Sequence, residues 1–231
     1  MEGLIIHTAE QGTPEWLQAR KGVITGSRFK DCRDRLKSGA PSKKCLDYAM
    51  DVAREREGGE PMQVFVNGAM RLGTEQEPYA RAVYERKTGH IVDEAGFITT
   101  HDRLFGVSVD GLVGDDGIIE IKTMVSSDTL FTAFVNGDIA AYVDQCNGAM
   151  WLLGRKWVDL VLWVHDLGRM KIIRIERDDN QIESLESDLM EFERTVTKYQ
   201  HELRAASHQR NAKPCRHSPV TTRASLGARN L

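Results

Sequence analysis

Nine residues separate Asp110 from Glu120, and Lys122 follows two positions later. The run Ile118-Ile119-Glu120-Ile121 is β-branched and short, which predicts a strand over residues 118–122. Side chains two apart on a strand leave the same face, so Glu120 and Lys122 point together. The turn sequence Gly114-Asp115-Asp116-Gly117 folds this strand back beside the one that ends at Asp110. Two carboxylates and an ammonium then converge at a sheet edge. Glu120 sits among isoleucines, and a carboxylate buried without a partner is costly, so it needs a metal ion or a cationic side chain. Hard oxygen ligands of this kind suit Mg²⁺ or Mn²⁺. A lysine beside two metal-bound carboxylates can orient a water and help deprotonate it, which is the chemistry of phosphodiester hydrolysis. An ordinary ion pair of Lys122 with Asp110 or Glu120 in a hairpin has the same spacing.

The whole chain limits how this constellation is used. It has 231 residues, 41% hydrophobic and 28% charged, as expected of a globular domain able to bury its own core. Thirty-one basic against 34 acidic residues give a net charge of −3. That excludes a uniformly basic wrapper of nucleic acid and leaves local basic patches. The six basic residues from Arg204 onward have no acidic companion, so the remaining body carries −9. With few large apolar residues, 204–231 is expected to lack a packed core and to form a basic tail behind a single domain over 1–203. No apolar run is long enough to span a bilayer, and MEGLIIHTAEQGTPEW has no signal-peptide pattern. Cys32, Cys45, Cys146 and Cys215 form no CxxC pair and read as reduced thiols of a cytoplasmic protein. The seven histidines show no helical metal-ligand spacing.

The elements that must position the site follow from caps and periodicity. Thr13 and Pro14 open a helix that stops near Gly22. Ser27 is expected to cap a short helix over 28–36. Ser42 opens a helix ended by Gly58-Gly59. A helix over 67–88 contains Pro78, which predicts a break or kink near 73–78. Residues 90–92, 97–99, 104–109 and 118–122 read as strands, and 127–135 and 139–153 as helices. The apolar run 158–164 reads as a buried strand paired with 170–175 across the turn at 166–169. Residues 179–206 form an amphipathic helix with Ile182, Leu185, Leu189, Phe192, Val196 and Tyr199 on one stripe. Trp151, Trp157 and Trp163, with apolar neighbours, read as core. Arg71, Arg81, Arg86 and Lys87 read as a solvated helix surface. The pattern is α/β (α+β), a mixed central sheet flanked by helices.

Five motifs in order over about residues 9–165 resemble the phage lambda exonuclease-like alkaline nucleases, a YqaJ-type viral recombinase family of the PD-(D/E)xK nuclease superfamily. They are Trp16-x-x-x-Arg20-x-Gly22-Val23-Ile24-Thr25-Gly26-Ser27, Gly73-Thr74-Glu75-Gln76-Glu77, Gly106-Val107-Ser108-Val109-Asp110-Gly111, Ile119-Glu120-Ile121-Lys122, and Gln145-Cys146-Asn147 with Met150-Trp151. Val109 stands where the superfamily has proline, and Asn147 where the family has a second glutamine.

The resemblance implies a restriction-endonuclease-like core and two Mg²⁺ ions per site, with Mn²⁺ as a substitute. It implies that Asp110 binds both ions, Glu120 and the Ile121 carbonyl bind one, and Glu77 reaches the other directly or through water. Lys122 would position the attacking water, and Gln145 would place Lys122 or the water. Arg20 and Ser27, with Ser108 nearby, would hold a 5′-phosphate, in keeping with the guanidinium's planar fork and the free N–H groups of a helix start. The implied activity is 5′→3′ exonucleolysis of linear double-stranded DNA to mononucleotides. It would leave 3′ overhangs for a single-strand annealing partner, in a bacterial host cell and with a phage or prophage origin. A compact chain of this length has a radius of gyration of about 17 Å, too small to enclose a duplex alone, and the resemblance implies a homotrimeric ring. Two other readings remain, a structure- or site-specific endonuclease of the same fold and a non-catalytic DNA-end-binding module.

Overall fold

The computed structural model describes residues 3–62 and 68–211. Asn67, expected in the helix before Pro78, and the tail beyond 211 with Cys215 lie outside them. The chain opens with β1 (Leu4–His7), α1 (Pro14–Arg20) and β2 (Ile24–Thr25), followed by a 3₁₀ turn (Gly26–Arg28) and α2 (Phe29–Cys32). Helices α3 (Lys43–Arg56) and α4 (Gly68–Thr88) come next. Then come β3 (Phe97–Thr100), β4 (Phe105–Ser108), β5 (Gly111–Val113) and β6 (Gly117–Thr123). The short α5 (Ser127–Thr129) runs into a π turn (Leu130–Val135). Helix α6 (Ala140–Leu153), strands β7 (Trp157–Val164) and β8 (Arg169–Glu176), and helix α7 (Asp179–Asn211) complete the order.

The strands form two four-stranded mixed sheets, ordered β1-β3-β4-β2 and β5-β6-β7-β8. In the second, β6 pairs antiparallel with β5 and parallel with β7, with Glu120 opposite Leu160 and Lys122 opposite Leu162. Both faces of this sheet are covered, which is why β7 is apolar at every position except Asp159, a buried carboxylate held by Tyr84 and Arg174. Ile118, Val158, Leu160 and Leu162 share one core with buried residues of α3, α6 and α7. Ile119, Ile121, Val161 and Trp163 share the other with Ala80 and Tyr84 of α4. The expected α7 stripe is buried from Ile182 to Val196, and Tyr199 packs at its edge. Thr13 caps α1 through the Trp16 N–H, and Ser42 caps α3 through the Cys45 N–H.

Four expectations are corrected. Helix α4 runs unbroken through Pro78, because burial of Ala80 and Tyr84 offsets the roughly 3 kcal/mol that an internal proline costs. Ser27 caps no helix: it lies exposed inside the 3₁₀ turn, whose cap position is Thr25, and α2 ends at Cys32. Arg33 leaves that helix to reach Asp144 and Asp188, at 2.9 and 2.8 Å. Residues 90–92 form no strand, since the Glu85 carboxylate takes the Val92 N–H at 2.9 Å and only Asp93 bridges to Leu112. The strand before Asp110 does not flank 118–122: β4 pairs with β2 and β3 in the other sheet, and β5, after Asp110, lies beside β6, because the chain bends at Asp110. Helix α7 runs on past 203, and its Arg204 pairs with Glu57 at 2.8 Å. Among the described residues, no helix is long and apolar enough to cross a membrane.

Candidate active site

The β5–β6 hairpin builds the site. Gly114, at φ +51°, turns it, and Gly111 lets it close: a Cβ there would stand 2.1 Å from Val92 Cγ1. Asp110 occupies the bend between β4 and β5, and its Oδ2 accepts the Ile121 N–H at 2.6 Å. This bond locks the aspartate against the strand that carries Glu120 and Lys122. Glu120 is 4% exposed. Its Oε1 receives the Lys122 ammonium at 2.7 Å and the Gln145 amide at 2.6 Å. Lys122 also donates to Gln145 Oε1 at 3.2 Å, closing a triangle with α6. The cationic partner that a buried Glu120 requires is therefore Lys122.

The electrostatics are dominated by crowded carboxylates. Burial, then the charges of Glu120 and Glu77, push the Asp110 carboxyl well above its ordinary range, against Lys122 and the Ile121 N–H. Burial and Glu120 push Glu77, on α4, up to about 7, partly offset by Arg81 and Lys122. Burial works against the Lys122 ammonium, but Glu120 and Asp110 outweigh it and hold the lysine charged. Burial, with Glu120 beside it, likewise raises the Cys146 thiol, which is unsuited to act as a thiolate there.

A divalent cation fits this chemistry, because three carboxylates share a single ammonium and all donors are hard oxygens. The side chains are not pre-set as a cage: among the described residues, no group of three His, Cys, Asp or Glu is arranged to hold a metal. Glu120 Oε1 is engaged by Lys122 and Gln145, so a cation reaching this carboxylate must share it.

Two residues before Asp110, Ser108 begins a second cluster, within about 7 Å along an extended chain. Its Oγ accepts from Arg20 Nη1 at 3.2 Å. The guanidinium lies 4.4 Å from the Trp16 ring centroid and 5.0 Å from that of Phe97. Burial lowers the Arg20 pKa, against Tyr48 and Glu55. Among the described residues no carboxylate stands within ion-pairing distance of it. A charged fork held between aromatic rings without a counter-ion is suited to an incoming anion. Ser27 emerges near this cluster because β2 pairs with β4, Thr25 opposite Gly106.

Other expected positions separate from the site. Asn147 is buried against Gln181 of α7, at 3.3 Å, on a different face of α6 from Gln145. The shortened amide thus serves packing. Arg81 pairs with Glu94. Trp163 is core as expected, and its indole also donates to Gln76 Oε1 at 3.1 Å. Gln76 stands in the second motif without an expected role; it lies four residues before Ala80 and eight before Tyr84, a polar member of the sheet-facing stripe of α4.

Mixed sheets covered by helices, with Asp110, Glu120 and Lys122 gathered at one hairpin, define the PD-(D/E)xK, restriction-endonuclease-like fold. The YqaJ-like viral recombinase domain matches residues 15–156, and the chain belongs to that family. The crystal structure of the alkaline exonuclease LHK-Exo from Laribacter hongkongensis is 33% identical, with TM-score 0.73 over 85% of this chain and 99% of that one. LHK-Exo in complex with dAMP gives 0.74 at the same identity and coverage. A phage related exonuclease from Haemophilus somnus 129PT, 17% identical with TM-score 0.61 over 83% and 99%, shows the fold alone. No curated protein matches the chain.

Proposed function

We propose that the protein is an Mg²⁺-dependent 5′→3′ exonuclease that degrades one strand of linear double-stranded DNA to mononucleotides. The observation that carries this reading is the triangle of Lys122, Glu120 and Gln145 beside an Asp110 locked to Ile121. Likeness to an alkaline exonuclease also seen with dAMP supports it. Asp110, Glu120, Glu77 and the Ile121 carbonyl would hold the ions. When bound, two Mg²⁺ (or Mn²⁺) ions stabilise the charge that develops on the phosphate and the leaving oxygen.

The protein's own groups do the positioning. Lys122, kept as an ammonium, donates to the attacking water and fixes its approach to phosphorus. Gln145 holds Lys122 through its carbonyl and Glu120 through its amide, so neither side chain swings. Arg20, Ser108 and Ser27 grip a terminal 5′-phosphate, which sets the register of cleavage one nucleotide from the end. The 3′ overhang left behind is the substrate of a single-strand annealing protein in recombination, in the cytoplasm of a bacterial host.

The direct test supplies Mg²⁺ and one duplex in two forms, linear with a single 5′-phosphate and closed circular. Loss of one strand of the linear form to mononucleotides, with the circle intact, is expected. A cut circle would establish the endonuclease reading instead, and no change in either form would leave an end-binding module. The chain is too small to enclose duplex alone, and the assembly we propose, the one the family resemblance implies, is a homotrimeric ring. Sedimentation is expected to give three times the 26.0 kDa chain mass, and the mass of one chain removes the ring.

A further inference from the structure

Glu77 is the one proposed cation ligand that comes from a helix on the far side of the sheet, and its helix is weakened beside it. Pro78 follows it directly inside α4. Proline lacks an N–H, so the Thr74 carbonyl has no helical donor at this level. The backbone that carries Glu77 therefore has one hydrogen bond fewer than an ordinary helical turn.

Two side-chain bonds to β7 compensate. Next to Glu77, Gln76 Oε1 accepts the Trp163 indole N–H at 3.1 Å. Two turns later, the Tyr84 hydroxyl donates to Asp159 at 2.7 Å. Asp159 is itself buried and held by Arg174 at 2.8 and 2.9 Å. Gln76, Ala80 and Tyr84 recur every four residues and so share one face, the face on the sheet. The lower bond lies about 12 Å along the helix from Gln76, at 1.5 Å per residue. It holds α4 to the sheet two turns beyond Glu77. At the level of Glu77 itself, α4 is tied to the sheet by the Gln76–Trp163 bond. Trp163 is in turn set by β6, since it pairs with Thr123 at the end of the strand that carries Glu120 and Lys122.

We propose that Trp163, acting through Gln76, is a positioning residue that presents the Glu77 carboxylate to the divalent cations. This deepens the nuclease reading and rests on Glu77 being a ligand. The indole touches neither substrate nor reacting atoms. Groups hydrogen-bonded to a metal ligand typically change affinity about 10–100-fold when lost. Trp163 bonds the ligand's chain neighbour, so the lower end applies.

The test is Mn²⁺ binding to the full chain by titration calorimetry, with thermal unfolding in chelator as the check on folding. Trp163→Phe keeps an aromatic ring and removes the donor, and is expected to weaken Mn²⁺ binding about tenfold. Gln76→Met removes the acceptor from the half-buried helix side and is expected to do the same, should the tryptophan variant fail to fold. In a Glu77→Gln background, either change is expected to have no further effect. Weakening by Glu77→Gln with unchanged binding in both other variants overturns the positioning role alone. Losses that add fully to that of Glu77→Gln also overturn it, since they would reflect general loosening. Unchanged binding in Glu77→Gln removes Glu77 as a ligand, and the proposal with it.

Discussion

Lys122→Ala is expected to reduce strand degradation at least about a thousandfold, within the range that a positioned proton-handling group contributes, while the chain still folds. Among the described residues, Lys122 is the one cationic side chain bonded to the Glu120 carboxylate, and it is held charged by that neighbour and by Asp110. Its removal takes away the donor proposed to orient the water. It also leaves Glu120 buried with Gln145 alone, beside two carboxyls already pushed up by burial and mutual repulsion. In chelator the variant should therefore be less stable by about 3 kcal/mol, the lower end for breaking a buried pair, because the lysine is 27% exposed. Mg²⁺ should restore most of this loss, since the variant presents Glu120 without a competing ammonium. The checks are strand loss on linear duplex and thermal unfolding with and without Mg²⁺. Undiminished cleavage sinks the water-positioning role. Failure of Mg²⁺ to stabilise the variant beyond its effect on wild type sinks the view that cation and lysine share Glu120.

Much of this site was legible because its determinants are local. The glycine turn and the period of two that sets Glu120 and Lys122 on one face are as read, but the strand beside β6 is β5, which begins after Asp110; β4, expected there, pairs with β2 and β3 in the other sheet. The bond from Ile121 N–H to Asp110 was not legible, since it depends on how far the bend at Val109-Asp110 swings the carboxylate across. Gln145 was placed by resemblance; its bridging of Lys122 and Glu120 comes from packing α6 on the sheet. The misread elements were decided by side-chain contacts and burial that the local pattern does not carry. Arg33 draws the chain out of α2 toward α6 and α7, Glu85 satisfies the Val92 backbone that would otherwise pair as a strand, and Glu57 holds Arg204 where composition suggests a loose tail. Pro78 is the clearest case: local sterics predict a break, and burial of Ala80 and Tyr84 overrides it.

Arg20→Ala is expected to erase the preference for 5′-phosphorylated over 5′-hydroxyl ends, lowering kcat/KM on phosphorylated duplex about 10–100-fold. That corresponds to the 1.5–3 kcal/mol of a hydrogen bond to a charged group. The argument starts from what surrounds the guanidinium. Trp16 and Phe97 stack on it, Ser108 accepts one N–H, and no carboxylate among the described residues pairs with it. Burying a guanidinium this way costs free energy, and burial lowers its pKa, only partly offset by Tyr48 and Glu55. A dianionic phosphate terminus answers that charge and uses the donors left free. An internal phosphodiester, with one charge, does so less well, which favours ends over interior sites. Arg20→Lys should recover only part of the preference, because an ammonium keeps the charge and loses the planar fork. The measurement is the initial rate on paired duplexes that differ only in the 5′ group. Equal rates by wild type on both ends would remove the pocket, whatever the variants do. An unchanged preference in Arg20→Ala would move the phosphate contact to another residue.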